Sequence, residues 1–252
     1  MMKKRQQHPS YLVCVERALS RSSSPLSVDD LIERVKAERP VGKGVRSQIY
    51  QALNRLYQAI PVEPGRYGWL STLLKGQTFR HTLTSFELRQ GVLLLDELEH
   101  AVFFPQFFQS HAPDSRTVRL QLLGGAALEV QATIVRGTWA LRLGGAFKEW
   151  VEEVGGAAKD SLLIHVEDAT TGVYTVRLQP RESRREQEVL ARNVALAQAA
   201  EEIIAGDRKV RTAVPVWELA AMLIGRSLFA HPTPPDDMHY VLHEYTQLQL
   251  LP

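Results

Sequence analysis

The chain has little cysteine and no long apolar run, and each of these shortages excludes a class of protein. Cys14 is the single cysteine among the 252 residues, which excludes an internal disulfide framework and any cysteine-rich zinc site. No apolar stretch approaches the roughly 18 residues of a membrane span. The basic start meets Glu16 and Arg17 too early to form the apolar core of a signal peptide. We therefore expect a cytoplasmic protein with no membrane partner.

Sequence signatures of catalysis are also scarce. The chain contains no glycine-rich phosphate loop, no G-x-S-x-G nucleophile elbow and no Glu-x-Lys pair of a divalent-metal nuclease. The sequence therefore assigns no catalytic residue, no metal ligand and no cofactor.

Charge is divided unequally along the chain. Residues 1–75 carry 13 Lys and Arg against 6 Asp and Glu, a net charge of +7, whereas the remainder carries 17 against 22, a net charge of −5. A basic head on a mildly acidic body indicates that the head meets a polyanion.

The head has the pattern of three helices followed by a hairpin. The first helix is predicted over 10–21, and the second begins at Ser27, which has Asp30 at the spacing of a capping box. A third helix is predicted over roughly 45–58, and Pro64-Gly65 is a type II turn pair between two extended pieces. This order is typical of a winged helix-turn-helix whose third helix enters the major groove of DNA.

The outer face of the third helix is polar, and no acidic residue occurs between 43 and 58. Gln, Asn and Arg side chains form bidentate pairs with base edges, so Gln51, Asn54 and Arg55 are predicted to read bases. The full set of DNA-binding residues predicted for the head is Lys43, Arg46, Ser47, Gln51, Asn54, Arg55 and Arg66. Its motifs, "LSVDDLIERV", "YQALNRLYQ" and "GRYGWL", resemble the HARE-type winged helix of chromatin and restriction-associated proteins. A winged helix that contacts only protein is the alternative.

From residue 78 the pattern changes to short strands. Seven are predicted, at "TFRHTL", "GVLLLD", 116–123, 128–135, 138–143, 161–167 and 172–179. Short helices are predicted after the second strand and at 144–154, where Phe147, Trp150, Val151 and Val154 share one face. Seven short strands with two inserted helices indicate a small barrel.

Residues 79–108, "FRHTLTSFELRQGVLLLDELEHAVFFPQFF", resemble the plant B-three domain, a DNA-binding pseudobarrel that also serves as the effector domain of some restriction enzymes. Gly145-Ala146-Phe147 through Trp150-Val151, followed by "GGAAKDSLLIHV", resembles the family's later helix and strand. The resemblance spans 76–180 and implies that the helix plugs one end of the barrel. It also implies two DNA-reading arms, of which the second is shortened here to "VRGTW". The matching positions are Thr84, Ser85, Arg89, Gln90, Arg136, Thr138 and Arg142.

The predicted barrel is net acidic, with 9 basic and 12 acidic residues in 76–180. Because DNA affinity depends heavily on phosphate neutralisation, such a barrel must concentrate its arginines on one face to bind DNA. The alternative is that the barrel docks a protein partner and that the head alone contacts DNA.

Three more helices are predicted in the tail. An apolar stripe of Val189, Leu190, Val194, Ala197 and Ile204 marks the first of them, over 183–206. The second, in "VPVWELAAMLIGRSLF", is apolar almost all round, so it packs against the barrel or forms a homodimer interface.

Two sets of polar residues have the side-chain types of catalytic or metal sites. Asp236, His239 and His243 share one predicted helix face, but no glutamate follows the first histidine as in zinc proteases. Asp114 and Glu129 bracket a predicted strand in a way that permits a divalent-metal nuclease, which is a second alternative function.

The sequence thus predicts an α+β multidomain protein. It comprises a winged helix-turn-helix (1–75), a seven-stranded B-three-like pseudobarrel with two short helices (76–180) and a helical extension for packing or dimerisation (181–252). The expected function is non-catalytic binding of double-stranded DNA, as a regulator or as a restriction-like recognition subunit that reads sequence or base modification.

Overall fold

The computed structural model describes residues 8–107, 116–207, 213–249 and 251. Contacts between Cα atoms divide the chain into two compact units, Met1–Leu73 and Leu74–Pro252. Residues 181–252, predicted as a helical extension, thus lie in the same unit as the strands.

The described part of the N-terminal unit contains three helices and a three-stranded sheet. Its elements are α1 (Tyr11–Ser20), β1 (Leu26–Ser27), α2 (Val28–Glu38), α3 (Val45–Leu53), β2 (Ala59–Glu63) and β3 (Arg66–Trp69). The strands are antiparallel in the order β1-β3-β2. Gly65 joins β2 to β3 with a φ of 72°, the positive angle that the predicted turn requires.

Local sequence signals fix the helix starts of this unit. Ser27 and Asp30 form the predicted capping box at the start of α2, with the Ser27 hydroxyl accepting from the Asp30 amide at 3.1 Å. At the start of α1, the Ser10 hydroxyl accepts from the Val13 amide. The apolar faces of the three helices meet in one core, which includes Val15, Leu31 and Ile49.

Helix α3 is shorter than predicted. It ends at Leu53, so Asn54 is its C-cap and Arg55 follows it. After the helix, the Leu56 amide donates to the Leu53 carbonyl and the Ala59 amide donates to the Leu56 carbonyl. These i to i−3 hydrogen bonds form tight turns that lead the chain into β2.

All seven predicted strands are found in the described part of the C-terminal unit. They are β4 (Thr78–Thr82), β5 (Val92–Leu94), β6 (Thr117–Leu122), β7 (Ala127–Val135), β8 (Thr138–Arg142), β9 (Ser161–Asp168) and β10 (Val173–Gln179). They form a seven-stranded sheet in the order β4-β9-β10-β6-β7-β8-β5. The pairing of β10 with β6 is parallel, and the other neighbouring strands in that order are antiparallel. Alternation decides which side faces the core, as in β6, where Val118, Leu120 and Leu122 are buried.

A short helix, α4 (Leu70–Leu74), spans the residue at which the two units divide. The described α-helices that follow are α5 (Ser85–Gln90), α6 (Glu97–Phe103), α7 (Gly144–Glu153), α8 (Glu186–Asp207), α9 (Val216–Gly225) and α10 (Met238–Tyr245). The predicted helices at α6 and α7 are confirmed. In α7, Phe147, Trp150 and Val151 are buried as expected, whereas Val154, predicted on the same face, is the exposed C-cap. None of the described helices combines the length and apolar character needed to cross a membrane.

The apolar stripe predicted for α8 is partly wrong. Leu190 and Val194 are exposed, while Val189 and Ala197 are buried together with the polar Asn193. Asn193 turns inward because its amide donates to Asp236 at 2.8 Å and its carbonyl accepts from the Asp236 amide at 2.8 Å. A buried polar pair therefore selects the inner face of α8.

Helix α9 buries its apolar surface inside its own unit. It packs against α6 and α8, and Leu219, Leu223 and Ile224 are almost fully enclosed. This burial needs no second copy of the chain, so packing within the unit accounts for the composition of α9.

Glycine is required at position 91, the C-cap of α5. Gly91 has a φ of 63°, and a Cβ there would lie 2.7 Å from the Gly144 carbonyl oxygen. We expect Gly91→Ala to lower the free energy of unfolding by about 2–3 kcal/mol, because a strained backbone and a backbone clash add together. Urea unfolding followed by tryptophan fluorescence measures this. Gly145→Ala is the matched control, because no atom lies near its Cβ position; equal stability of the two variants would contradict the prediction.

Candidate nucleic-acid interface

The exposed face of α3 carries the polar residues predicted to bind DNA. Ile49, Ala52 and Leu53 are buried, and the opposite side exposes Arg46, Ser47 and Gln51. Helical spacing extends this face to Asn54 at the C-cap, while Arg55 lies in the following turn. Lys43, Asn54 and Arg55 are all exposed.

Two of the predicted cations have acidic neighbours. Arg46 forms an ion pair with Asp29 of α2, and Arg66 lies 3.4 Å from Glu63 and donates to the Pro25 carbonyl at 3.3 Å. Side chains in both ion pairs are about half exposed or more. Exposed pairs of this kind contribute little, so a phosphate can replace either carboxylate at low cost. Sequence reasoning missed Asp29 as a neighbour of Arg46 because the two belong to different helices.

The first predicted arm is folded as α5. The Thr84 hydroxyl caps this helix: it accepts from the Glu87 amide at 3.2 Å and donates to the Glu87 carboxylate at 2.7 Å. Thr84 therefore has a structural role in the arm, whereas Ser85, Arg89 and Gln90 are exposed.

The second predicted arm is the turn between β7 and β8. Arg136 and Gly137 occupy the turn, with φ values of 54° and 79°. The guanidinium carbon of Arg136 lies 4.0 Å from the centroid of the Phe86 ring in α5. The structure thus brings together the two arms, which are far apart in sequence.

Further contacts join the opposite end of β8, away from the turn, to the C-terminal end of α5. Val92 is paired with Arg142 in β8, and the Gly91 carbonyl accepts from the amides of Leu143 and Gly144 at 2.8 and 2.9 Å. The Lys148 ammonium donates to the Arg89 carbonyl at 3.3 Å. Five predicted residues, all of them exposed, therefore lie on or beside these connected segments: Arg89, Gln90, Arg136, Thr138 and Arg142. We name this set, together with Phe86, the arm surface.

A buried charged cluster connects α5 to strand β4 and helix α6. His81 of β4 lies between two carboxylates, with Nε2 2.8 Å from Glu87 and Nδ1 2.6 Å from Glu99. Burial opposes its charge, yet Glu99 and Glu87 raise the pKa of His81 well above its usual value. Burial likewise favours protonated Glu87, but its contacts with His81 lower the pKa of that carboxyl to about 2. An imidazolium between two carboxylates therefore holds the start of α5 against the sheet.

Glu87 also forms hydrogen bonds with the backbone of the arm. Its carboxylate accepts from the amide of Thr84 at 2.9 Å and from the amide of Leu94 at 2.9 Å. Sequence reasoning missed this cluster and the stacking role of Phe86. The capping-box spacing of Thr84 and Glu87 was the available signal for the helix.

The candidate metal and nuclease residues do not form a site in the described part of the chain. Asp236 binds Arg184 and Asn193, His239 lies 2.7 Å from Glu97, and His243 is exposed beside Glu244. Among the described residues, no group of three or more His, Cys, Asp or Glu side chains could hold a metal ion.

Of the two nuclease candidates, Asp114 lies outside the described residues. Glu129 is an exposed residue of β7, in register opposite Arg119 of β6. An exposed cross-strand charge pair accounts for Glu129 without a bound ion.

Comparison with known proteins identifies no family. No protein-family model matches the chain, and no curated protein matches it. Solved structures are similar over 40% of the chain. The Arabidopsis FUS3–DNA complex has a TM-score of 0.31 and 12% identity, with 95% of that chain covered. The Arabidopsis thaliana transcription factor LEC2–DNA complex has a TM-score of 0.30 and 15% identity, with 91% covered. A hypothetical Arabidopsis thaliana protein has a TM-score of 0.28 and 17% identity, with 88% covered. The FUS3 and LEC2 structures are plant B-three domains in complex with DNA.

Proposed function

We propose that this protein binds double-stranded DNA without catalysing a reaction, as a regulator or a restriction-like recognition subunit. The N-terminal unit acts as a winged helix-turn-helix, and the seven-stranded sheet acts as a B-three-like pseudobarrel that contacts a second DNA site. The barrel reads sequence or base modification through the arm surface.

The observation that carries the proposal is the exposed face of α3. This nine-residue helix buries three apolar side chains and exposes Arg46, Ser47 and Gln51, with Asn54 at its end. A helix of this kind, the third of a three-helix unit followed by a hairpin, suits the major groove. The net charge of +7 over residues 1–75 has the sign that phosphate attraction requires.

Within this proposal the residues of the head divide into two groups. Gln51, Asn54 and Arg55 have side chains that can pair with base edges, so they set specificity. Lys43 precedes α3, Arg46 lies on α3 and Arg66 lies on β3; in this proposal their charges contact phosphate and set affinity.

Selection of binding sites from a random duplex pool by the full-length chain, at two salt concentrations, tests the proposal. Arg55→Ala is expected to weaken binding to the selected duplex by about 1–3 kcal/mol, because a base contact is lost. Arg21→Ala is the matched control, since Arg21 is an exposed arginine of the same unit that follows α1. It removes the same charge and is expected to change affinity less than about twofold.

The other outcomes identify the alternatives. Failure to enrich any motif together with no duplex binding at low salt would overturn the proposal. Duplex binding that responds to variants of α3 but not of the arm surface would assign the acidic barrel to a protein partner. Magnesium-dependent cutting that is lost in Glu129→Ala would assign the chain to the nucleases.

A further inference from the structure

The turn between β7 and β8 carries a residue that its backbone disfavours. Val135 pairs with Thr138, so Arg136 and Gly137 form a two-residue hairpin loop, and both have positive φ. Such loops favour asparagine followed by glycine, because a residue other than glycine is rarely stable at positive φ. Arginine at the first position is therefore not explained by the turn itself.

The side chain of Arg136 is stacked rather than free. Its guanidinium lies 4.0 Å from the centroid of the Phe86 ring, and Arg136 is itself exposed. Among the described residues, Arg136 makes no ion pair with a carboxylate. A guanidinium that stacks on an aromatic ring covers one face of its plane and keeps its N–H edges available to an acceptor.

The ring beneath Arg136 belongs to a helix that is fixed at both ends. Thr84 and Glu87 cap its start, His81 binds Glu87, and Gly91 closes its end with contacts to Gly144. Phe86 therefore offers a stable platform, and the long side chain of Arg136 loses less conformational freedom when it binds a ligand.

We infer that Phe86 is a positioning residue that holds the Arg136 guanidinium ready for a planar pair of acceptors on DNA. This inference rests on the proposed function. The acceptors are the two oxygens of a backbone phosphate or the O6 and N7 atoms of a guanine, which share the bidentate geometry that a stacked arginine presents. The stack gives a shortened arm a fixed contact that it would otherwise lack.

Variants of the full-length chain separate a binding role from a structural one. Arg136→Asn places the favoured Asn-Gly pair in the turn, so the melting temperature should stay the same or rise while affinity for the selected duplex falls at least fivefold. Phe86→Leu keeps an apolar side chain but removes the ring, and affinity should fall severalfold. Phe86→Tyr restores the ring and should restore affinity.

A double-mutant cycle tests the dependence of one residue on the other. Phe86→Leu should have no further effect on affinity once Arg136 is asparagine. Arg177→Asn is the matched control, because it removes an exposed arginine from β10 of the same sheet. It is expected to change affinity less than twofold.

Salt dependence and base substitution distinguish the two acceptors. A phosphate contact predicts that Arg136→Asn lowers the salt slope by about one and weakens all duplexes alike. A guanine contact predicts that discrimination is lost at one position of the selected site. Either result supports the inference.

Three results would overturn it. Full affinity in Phe86→Leu, together with weak binding in Arg136→Asn, would show that Arg136 acts without its platform. A lower melting temperature in Arg136→Asn would make the stack a structural contact. Unchanged affinity in both Phe86→Leu and Arg136→Asn, together with weaker binding in Arg55→Ala, would exclude DNA contact by the arm surface and leave DNA binding to the head. Loss of all duplex binding in the wild-type chain would instead refute the proposed function.

Discussion

Replacing Asp236 with alanine is expected to lower the free energy of unfolding by about 3–5 kcal/mol, one of the two largest effects we expect. Asp236 is buried, and its carboxylate lies 2.7 Å from the Arg184 guanidinium and 3.8 Å from Arg80 Nε. The side chain of Arg80 is fully buried, where burial and the charge of Arg184 lower its pKa to about 10. Removing the carboxylate leaves two arginines facing each other with one of them enclosed.

The network around Asp236 also ties the tail to the sheet. Arg80 of β4 donates to Ser161 at 3.0 Å and to Gln179 at 2.8 Å, while Asp236 comes from the segment before α10. We therefore expect Asp236→Ala to loosen the tail as well as to destabilise the sheet.

Urea unfolding of the full-length chain measures the effect. Asp237→Ala is the matched control, because the neighbouring aspartate caps α10 by accepting from the Tyr240 amide at 3.0 Å. Loss of a cap costs about 1 kcal/mol. A loss of stability in Asp236→Ala no larger than in Asp237→Ala would contradict the importance of the buried network.

The second large effect is expected at His81. His81→Leu leaves Glu87 and Glu99 buried without their shared cation, so the free energy of unfolding should fall by about 3–5 kcal/mol near neutral pH. His243→Gln is the matched control, since that histidine is 82% exposed and pairs with its neighbour Glu244. It is expected to leave stability unchanged.

The pH dependence of stability identifies the cause. The folded-state pKa of His81 is raised, so its contribution is fully present below the unfolded value of about 6.5 and is lost as the pH rises through the folded value. His239 adds to the same alkaline loss, because its hydrogen bond with Glu97 raises its pKa to about 9 despite partial burial. Glu87 has the opposite sign, and its contribution is lost as the pH falls from about 4.5 to about 2.

The difference between wild type and His81→Leu isolates this residue. That difference should shrink as the pH rises above about 6.5, with a slope approaching 1.4 kcal/mol per pH unit for one proton. It should shrink at acid pH too, because protonated carboxylates no longer need the cation. A difference that stays constant with pH would mean that His81 contributes through packing alone.

Elements whose signals are local follow from the amino-acid sequence alone. The capping box of Ser27 and Asp30, the burial of Phe147, Trp150 and Val151 in α7, and the alternation along β6 were predicted and are present. Each signal spans one helix or one strand, and periodicity or a cap fixes it without reference to any distant residue.

Contacts between elements, in contrast, depend on how the whole chain folds. The inner face of α8 is set by Asn193 and Asp236, and the arm surface is set by Phe86 and Arg136, residues that are far apart in the chain. His81 could have met any of several carboxylates, and the fold selects Glu87 and Glu99. Charge and hydrogen-bonding capacity tell which kinds of partner a side chain accepts, but packing of the whole sheet brings one partner within reach. For this reason the strands could be read from the sequence, whereas the buried cluster and the stack could not.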